Sequence, residues 1–229
     1  MELIEEIQKD LKKNLSEKRY IHSIGVMNMA MELARLYNVD IQTAQVAGLL
    51  HDIAKEMTPE EKMEYVKNNN ITIDDIERIN TPILHGKIGA DIARKKYGVN
   101  EQVQKAIEYH TTKNPDIDII AKIIYVADKI ELNRKSENYD IEYERALAKK
   151  SLEETIVYII DSNVMNLINN GKLIHPKSIE TRNKYINFMQ KLPNSTKMWY
   201  NSRTIVWEDV KWFSKITIKY LDWTQIKLI

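Results

Sequence analysis

Residues 47–55 read Ala47-Gly48-Leu49-Leu50-His51-Asp52-Ile53-Ala54-Lys55, an adjacent histidine and aspartate in an otherwise apolar run. Burying an ionised carboxylate without a partner costs several kcal/mol, or drives its pKa up until it is neutral. A second segment poses the same problem: Ile123-Ile124-Tyr125-Val126-Ala127-Asp128-Lys129-Ile130 sets Asp128 among apolar neighbours. Two such aspartates ask for counter-charge. Lysines nearby supply some of it; a divalent metal would supply more, and would also account for the histidines.

There are five histidines, and four of them, His22, His51, His85 and His110, follow at spacings of 29, 34 and 25 residues. His22 shares a stripe with Val26, Met29, Leu33 and Leu36, at steps of four and three, which is one face of an amphipathic helix turned into a bundle. Asp128 shares a face with Ala121, Ile124 and Glu131. Adjacent residues on a helix diverge by about 100°, so His51 and Asp52 meet at one point only if other helices complete the site, and His22 and Asp128 are placed to do so. Taken singly, each residue has a plainer reading. A lone histidine on an apolar face is more often a hydrogen-bonded core residue, and Asp128 alone could pair with a lysine. Together, with His51 and Asp52 adjacent, they favour one site.

Six glycines and five prolines in 229 residues leave few stops, which favours long helices and an all-α fold. Asp40 is read as the N-cap of a helix over 41–55. Thr58-Pro59-Glu60-Glu61 reads as N-cap, N1 proline and capping-box glutamate. Thr81-Pro82 opens another helix, stopped by Gly98. Asn100 caps one ending near His110, and Asp116 or Asp118 caps one running through Glu131. Two more are expected, at about 142–169, broken near its middle and stopped by Asn170-Gly171, and at about 177–190. Beyond Leu192-Pro193 the composition changes. The last 37 residues hold Trp199, Trp207, Trp212 and Trp223, and Ile216, Ile218 and Tyr220 alternate with polar residues at a strand period. This extension, 193–229, is expected to be an appendage, with a β-hairpin as one form it allows, and a packing flap more than a base-stacking platform.

The balance of 34 Lys+Arg against 33 Asp+Glu argues against a nucleic-acid binder, and the absence of cysteine excludes thiolate metal sites, Fe–S clusters and cysteine nucleophiles. The charged start, MELIEEIQKDLKKNL, lacks the apolar core of a secretory signal, and no apolar run approaches the roughly 20 residues of a membrane span. The expected location is the cytoplasm, with no membrane partner.

The order His22 … His51-Asp52 … Asp128 resembles the HD-domain superfamily of metal-dependent phosphohydrolases. The resemblance extends through Arg19-Tyr20-Ile21-His22-Ser23, the 48–55 segment, Leu84-His85-Gly86, Tyr109-His110-Thr111-Thr112, Ala127-Asp128-Lys129-Ile130-Glu131-Leu132-Asn133-Arg134 and Ile174-His175-Pro176. This set, spread over about residues 1–190, is similar to the bacterial symmetrical bis(5′-nucleosyl)-tetraphosphatases of the YqeK type. The resemblance implies an HD-domain helical bundle over 1–192 with iron at its centre, held by His22, His51, Asp52 and Asp128; manganese, cobalt and zinc suit the same ligands. His85 and His110 match positions that contact substrate phosphates or hold a second metal, and with Asp52 they form the expected catalytic set. Arg19, Lys55, Thr111 and Arg134 match the lining of a nucleotide diphosphate site. Leu173 and His175 match a loop near the base. The implied reaction is symmetrical hydrolysis of diadenosine tetraphosphate to two ADP. Two alternatives stand beside it: an HD nucleotidase acting on other nucleoside polyphosphates, and a nucleotide-sensing module without turnover.

Overall fold

The structure, a computed structural model, describes residues 2–112, 114–135 and 140–191. Among them lie α1 (Glu2–Asn14), α2 (Glu17–Leu36), α3 (Ile41–Leu50), α4 (Pro59–Asn68), α5 (Asp75–Ile79), a 3₁₀ turn (Thr81–Leu84), α6 (His85–Tyr97), α7 (Glu101–Thr112), α8 (Ile119–Ile130), α9 (Ile141–Ala148), α10 (Leu152–Asn169) and α11 (Pro176–Lys191). No strand occurs among the described residues, and the all-α expectation holds.

The helix ends follow the capping chemistry in the sequence. The Thr58 hydroxyl accepts from Glu61 N–H and the Glu61 carboxylate accepts from Thr58 N–H, a closed capping box with Pro59 behind it. The Asp40 and Asp118 side chains accept from Thr43 and Ala121 N–H, so Asp118, not Asp116, opens α8. Asn100 Oδ1 accepts from Val103 N–H at 3.0 Å. Each such cap is worth about 1 kcal/mol. Gly98 ends α6 at φ +61° and Gly171 follows α10 at φ +59°, a left-handed conformation open to glycine. The break expected near the middle of 142–169 falls between α9 and α10, where the Ser151 side chain accepts from Glu154 N–H.

Three expectations are corrected. The helix predicted over 41–55 ends at Leu50. His51 Nδ1 takes the Gly48 carbonyl at 2.8 Å, the group that Asp52 N–H would bond in a continued helix, and the chain proceeds through tighter turns. Thr81-Pro82 opens a 3₁₀ turn before α6, and a further capping box at Asp74 and Glu77 starts the short α5, which periodicity over five residues cannot reveal. Leu36 is 52% exposed, so the inward stripe of α2 ends at Leu33.

Helix α2 packs along α3 and α8, while α7 lies against α6, α8 and α3. The seams are filled by buried Val26, Ala30, Leu33, Ala47, Leu50, Ile107, Ile120, Ile124 and Ala127. Full burial of one such large side chain contributes about 1.5–3 kcal/mol. Small residues set the spacing. A Cβ at position 48 would lie 2.9 Å from Met27 Cα, and one at position 86 would lie 2.6 Å from the Glu108 carbonyl oxygen. Gly48 and Gly86 therefore serve close helix packing. This geometry gathers the interior of α2, the turn after α3, the start of α6 and the last turns of α7 and α8.

The chain divides into two units, Met1–Phe188 and Met189–Ile229. The four tryptophans, the alternating segment around Ile218 and the hairpin expectation lie outside the described residues. No helix among the described residues is long and apolar enough to cross a membrane.

Candidate metal centre

Three imidazoles are oriented by carbonyls of their own local backbone. The Nδ1 atoms of His51, His85 and His110 face the carbonyl oxygens of Gly48, Pro82 and Ile107 at 2.8, 2.5 and 2.6 Å, each three residues back. His22 differs: its Nδ1 meets the Glu131 carboxylate at 3.2 Å. All four partners are acceptors, so each Nδ1 carries the proton and each Nε2 presents a lone pair. The Nε2 atoms converge on Asp52 and Asp128. Asp128 Oδ1 lies 3.1 Å from His22 Nε2 and 3.7 Å from His51 Nε2. Asp52 Oδ2 lies 3.4 Å from His51 Nε2 and 3.7 Å from His22 Nε2. Asp52 Oδ1 lies 3.1 Å from His85 Nε2 and 3.6 Å from His110 Nε2.

The donor set fits a metal ion. Bonds of about 2.1 Å at tetrahedral or octahedral angles put neighbouring ligand atoms about 3.0–3.4 Å apart, close to the spacings of the His22, His51, Asp52 and Asp128 atoms. His51 Nε2 is fully buried with no hydrogen-bond partner, an orphan that a cation would satisfy. Imidazole and carboxylate ligands with no thiolate suit iron, manganese, cobalt or zinc.

Cations border the same cluster. Arg19 Nη1 donates to Asp52 Oδ2 at 2.6 Å. Arg134 donates from Nε to the Asp128 carbonyl at 2.9 Å and from Nη2 to Asp128 Oδ1 at 2.8 Å. Lys129 Nζ donates to Asp128 Oδ2 at 2.8 Å, and Lys55 Nζ to His85 Nε2 at 3.1 Å. The four cationic side chains are only partly buried, so they form the rim between the centre and solvent.

Burial works against the charge on Asp52, but the surrounding imidazoles of His51, His110 and His85 outweigh it and hold the carboxyl well below its ordinary value. Asp128 behaves alike: Lys129, His22, His51 and Arg134 overcome its burial. Burial first, then the neighbouring His110 and Lys55, push His85 down to about 4. Burial also lowers His110 and Lys55. His85 and His110 thus contribute lone pairs at neutral pH, and the positive charge facing substrate comes from the lysines and arginines.

The remaining expected residues lie further out. Thr111 Oγ1 donates to the Ile83 carbonyl at 3.1 Å, tying α7 to the 3₁₀ turn. Leu173 is exposed, and His175 Nε2 bonds Asp74 Oδ2 at 3.0 Å, grouped with Glu77 and not with Asp52 or Asp128. Sequence reasoning gave no function to Glu131 beyond sharing a face with Asp128, nor to Lys129 beyond its proximity. The signal for Glu131 was a second carboxylate one turn past Asp128 in an apolar segment.

A buried histidine–aspartate centre at the meeting point of five chain segments, rimmed by cations, defines a metal-centred helical-bundle hydrolase. The HD domain matches residues 19–133. The symmetrical bis(5′-nucleosyl)-tetraphosphatase of Halalkalibacterium halodurans is 34% identical over 77% of this chain and 93% of that protein, and that of Bacillus subtilis 33% identical over 76% and 92%. A crystal structure from Clostridium acetobutylicum, described as a predicted HD superfamily hydrolase involved in NAD metabolism, superposes with a TM-score of 0.77 at 37% identity, covering 80% of this chain and 97% of that one. The chain belongs to the HD-domain family and, within it, to the family of symmetrical bis(5′-nucleosyl)-tetraphosphatases.

Proposed function

We propose that the protein hydrolyses diadenosine tetraphosphate and related dinucleoside polyphosphates symmetrically, releasing two ADP, with iron as the resident metal and His22, His51, Asp52 and Asp128 as its ligands. The observation that carries the reading is the convergence of four Nε2 atoms and two buried carboxylates beneath a rim of arginine and lysine, in a chain whose relatives are named for that reaction. A metal ion in such a site lowers the pKa of water from 15.7 towards about 7 and polarises phosphoryl oxygens. The chain's own residues do the rest. Asp52 orients the attacking water through the carboxylate edge that faces His85 and His110. Arg19, Lys55 and Arg134 neutralise charge on the phosphoryl oxygens, where electrostatics and positioning are the main levers. Thr111, Leu173 and His175 border the nucleotide further from the centre.

Both halves of the substrate are the same ligand, so one diphosphate pocket beside the metal seats either half. Chromatography of products from metal-loaded enzyme tests the reading. ADP alone is expected, with ADP itself inhibiting. ATP plus AMP as the main products would place the cut one phosphate away and refute the symmetrical assignment.

A further inference from the structure

Glu131 lies 109 residues from His22 in sequence, yet its carboxylate is buried against that imidazole. Its two oxygens are both engaged. Oε1 faces His22 Nδ1 at 3.2 Å, and Oε2 accepts from Asn133 N–H at 2.7 Å. The neighbouring helix makes room for it. A Cβ at position 25 would sit 2.3 Å from Glu131 Oε2 and 2.9 Å from its Cδ, so only glycine admits the carboxylate. The other three imidazoles use neutral carbonyls at the same ring position.

We propose that Glu131 is the positioning residue of the metal centre: it holds the Nδ1 proton of His22 and thereby fixes the tautomer whose Nε2 lone pair faces the metal, while Gly25 keeps the space that lets it do so. The inference rests on the metal reading of the site and not on the identity of the substrate. An imidazole that binds a metal carries one proton, and a carboxylate on the far nitrogen holds that proton in place and raises the basicity of the ligating one. A charged acceptor does this more strongly than a carbonyl. The same residue also anchors the turn that carries Arg134, its carboxylate through Asn133 N–H and its main-chain carbonyl through Arg134 N–H at 2.9 Å.

Glu131→Gln cannot reproduce both contacts. An amide that offers its oxygen to Asn133 N–H turns its NH2 towards His22 and selects the wrong tautomer; the reverse orientation sets two donors against each other at Asn133. Gly25→Ala probes the same contact from the other side, since alanine favours helix more than glycine does and meets only side-chain ends, the Glu131 carboxylate foremost and the Asn133 amide at 3.2 Å. The experiment uses the full chain without nucleotide. Zinc dissociation constants are measured by chelator competition, helicity by circular dichroism, and the His22 tautomer by long-range ¹H–¹⁵N correlation in the zinc-loaded wild type. Both variants are expected to bind zinc about 10–100-fold more weakly with helicity retained, and wild-type His22 to carry its proton on Nδ1. Unchanged zinc affinity in a folded variant would overturn the proposal, as would a wild-type His22 protonated on Nε2, whether or not the variants fold. A wild type that binds no zinc would overturn the metal reading and this inference with it, whereas weaker binding confined to the variants supports both.

Discussion

Replacing Asp52 with asparagine keeps the shape of the side chain and removes its charge, which separates the site from the fold. The carboxylate is 2% exposed and its closest partners are Arg19 Nη1 at 2.6 Å and His85 Nε2 at 3.1 Å. Losing the charge-assisted bond from Arg19 costs about 1.5–3 kcal/mol. Relief from holding an ion out of water acts in the opposite direction, at several kcal/mol for a fully buried ion. Arg19 is itself 26% exposed and can turn to solvent, so the two effects nearly cancel and metal-free stability should change by less than about 2 kcal/mol. Metal binding has no such compensation, because an anionic oxygen on the ion becomes a neutral one. Perturbing an outer partner of a ligand already costs 10–100-fold in affinity. Removing the ligand's charge should cost at least about 100-fold, or about 2.8 kcal/mol at 1.4 kcal/mol per decade. The measurements are metal content by mass spectrometry after anaerobic purification, thermal unfolding by circular dichroism, and ADP release. Turnover should vanish while helicity stays. A variant with full metal content and full activity would refute the assignment of Asp52 to the metal.

Lys55→Ala should weaken nucleotide binding by roughly 1.5–3 kcal/mol with metal content unchanged, read by calorimetry with ADP; loss of metal with ADP affinity intact would reverse the assignment. Arg134→Ala should lower both, since that guanidinium holds Asp128 as well as standing on the cationic rim. His85, with its pKa depressed to about 4, favours the fold fully above its unfolded value near 6.5 and loses that contribution as pH falls towards 4. At 1.36 kcal/mol per unit this amounts to about 3 kcal/mol, so His85→Gln in chelator-treated protein should flatten the stability profile between pH 6.5 and 4, and an unchanged slope would contradict the depressed value. Truncation after Leu192 should leave turnover nearly intact, because every expected site residue lies at or before His175; a folded but inactive truncation would show that the extension serves the site.

What was legible in the sequence was whatever one short window could express. Thr58, Asp40 and Gly98 announce helix ends because capping is local chemistry, which left Asp116 and Asp118 as equal candidates for the start of α8. Asp52 and Asp128 announce themselves because a carboxylate in an apolar run demands a partner. The end of α3 at Leu50 was not legible, since apolar residues continue to Ala54 and the interruption comes from a bond between a side chain and the backbone. Glu131 and His22 carry no mark of each other across 109 residues. The pairing of His175 with Asp74 was hidden in the same way, being made across 101 residues.

The contrast between the imidazoles bears on how the protein assembles. His51, His85 and His110 find their orienting carbonyls three residues away, at negligible loop-closure cost, and can adopt their final pose as soon as each turn forms. His22 cannot, because its partner arrives only when α8 docks on α2. Long-range closures of that kind are the slow steps of folding. Tight metal capture should therefore lag behind helix formation, and a stopped-flow trace of metal uptake during refolding would time the docking of those two helices.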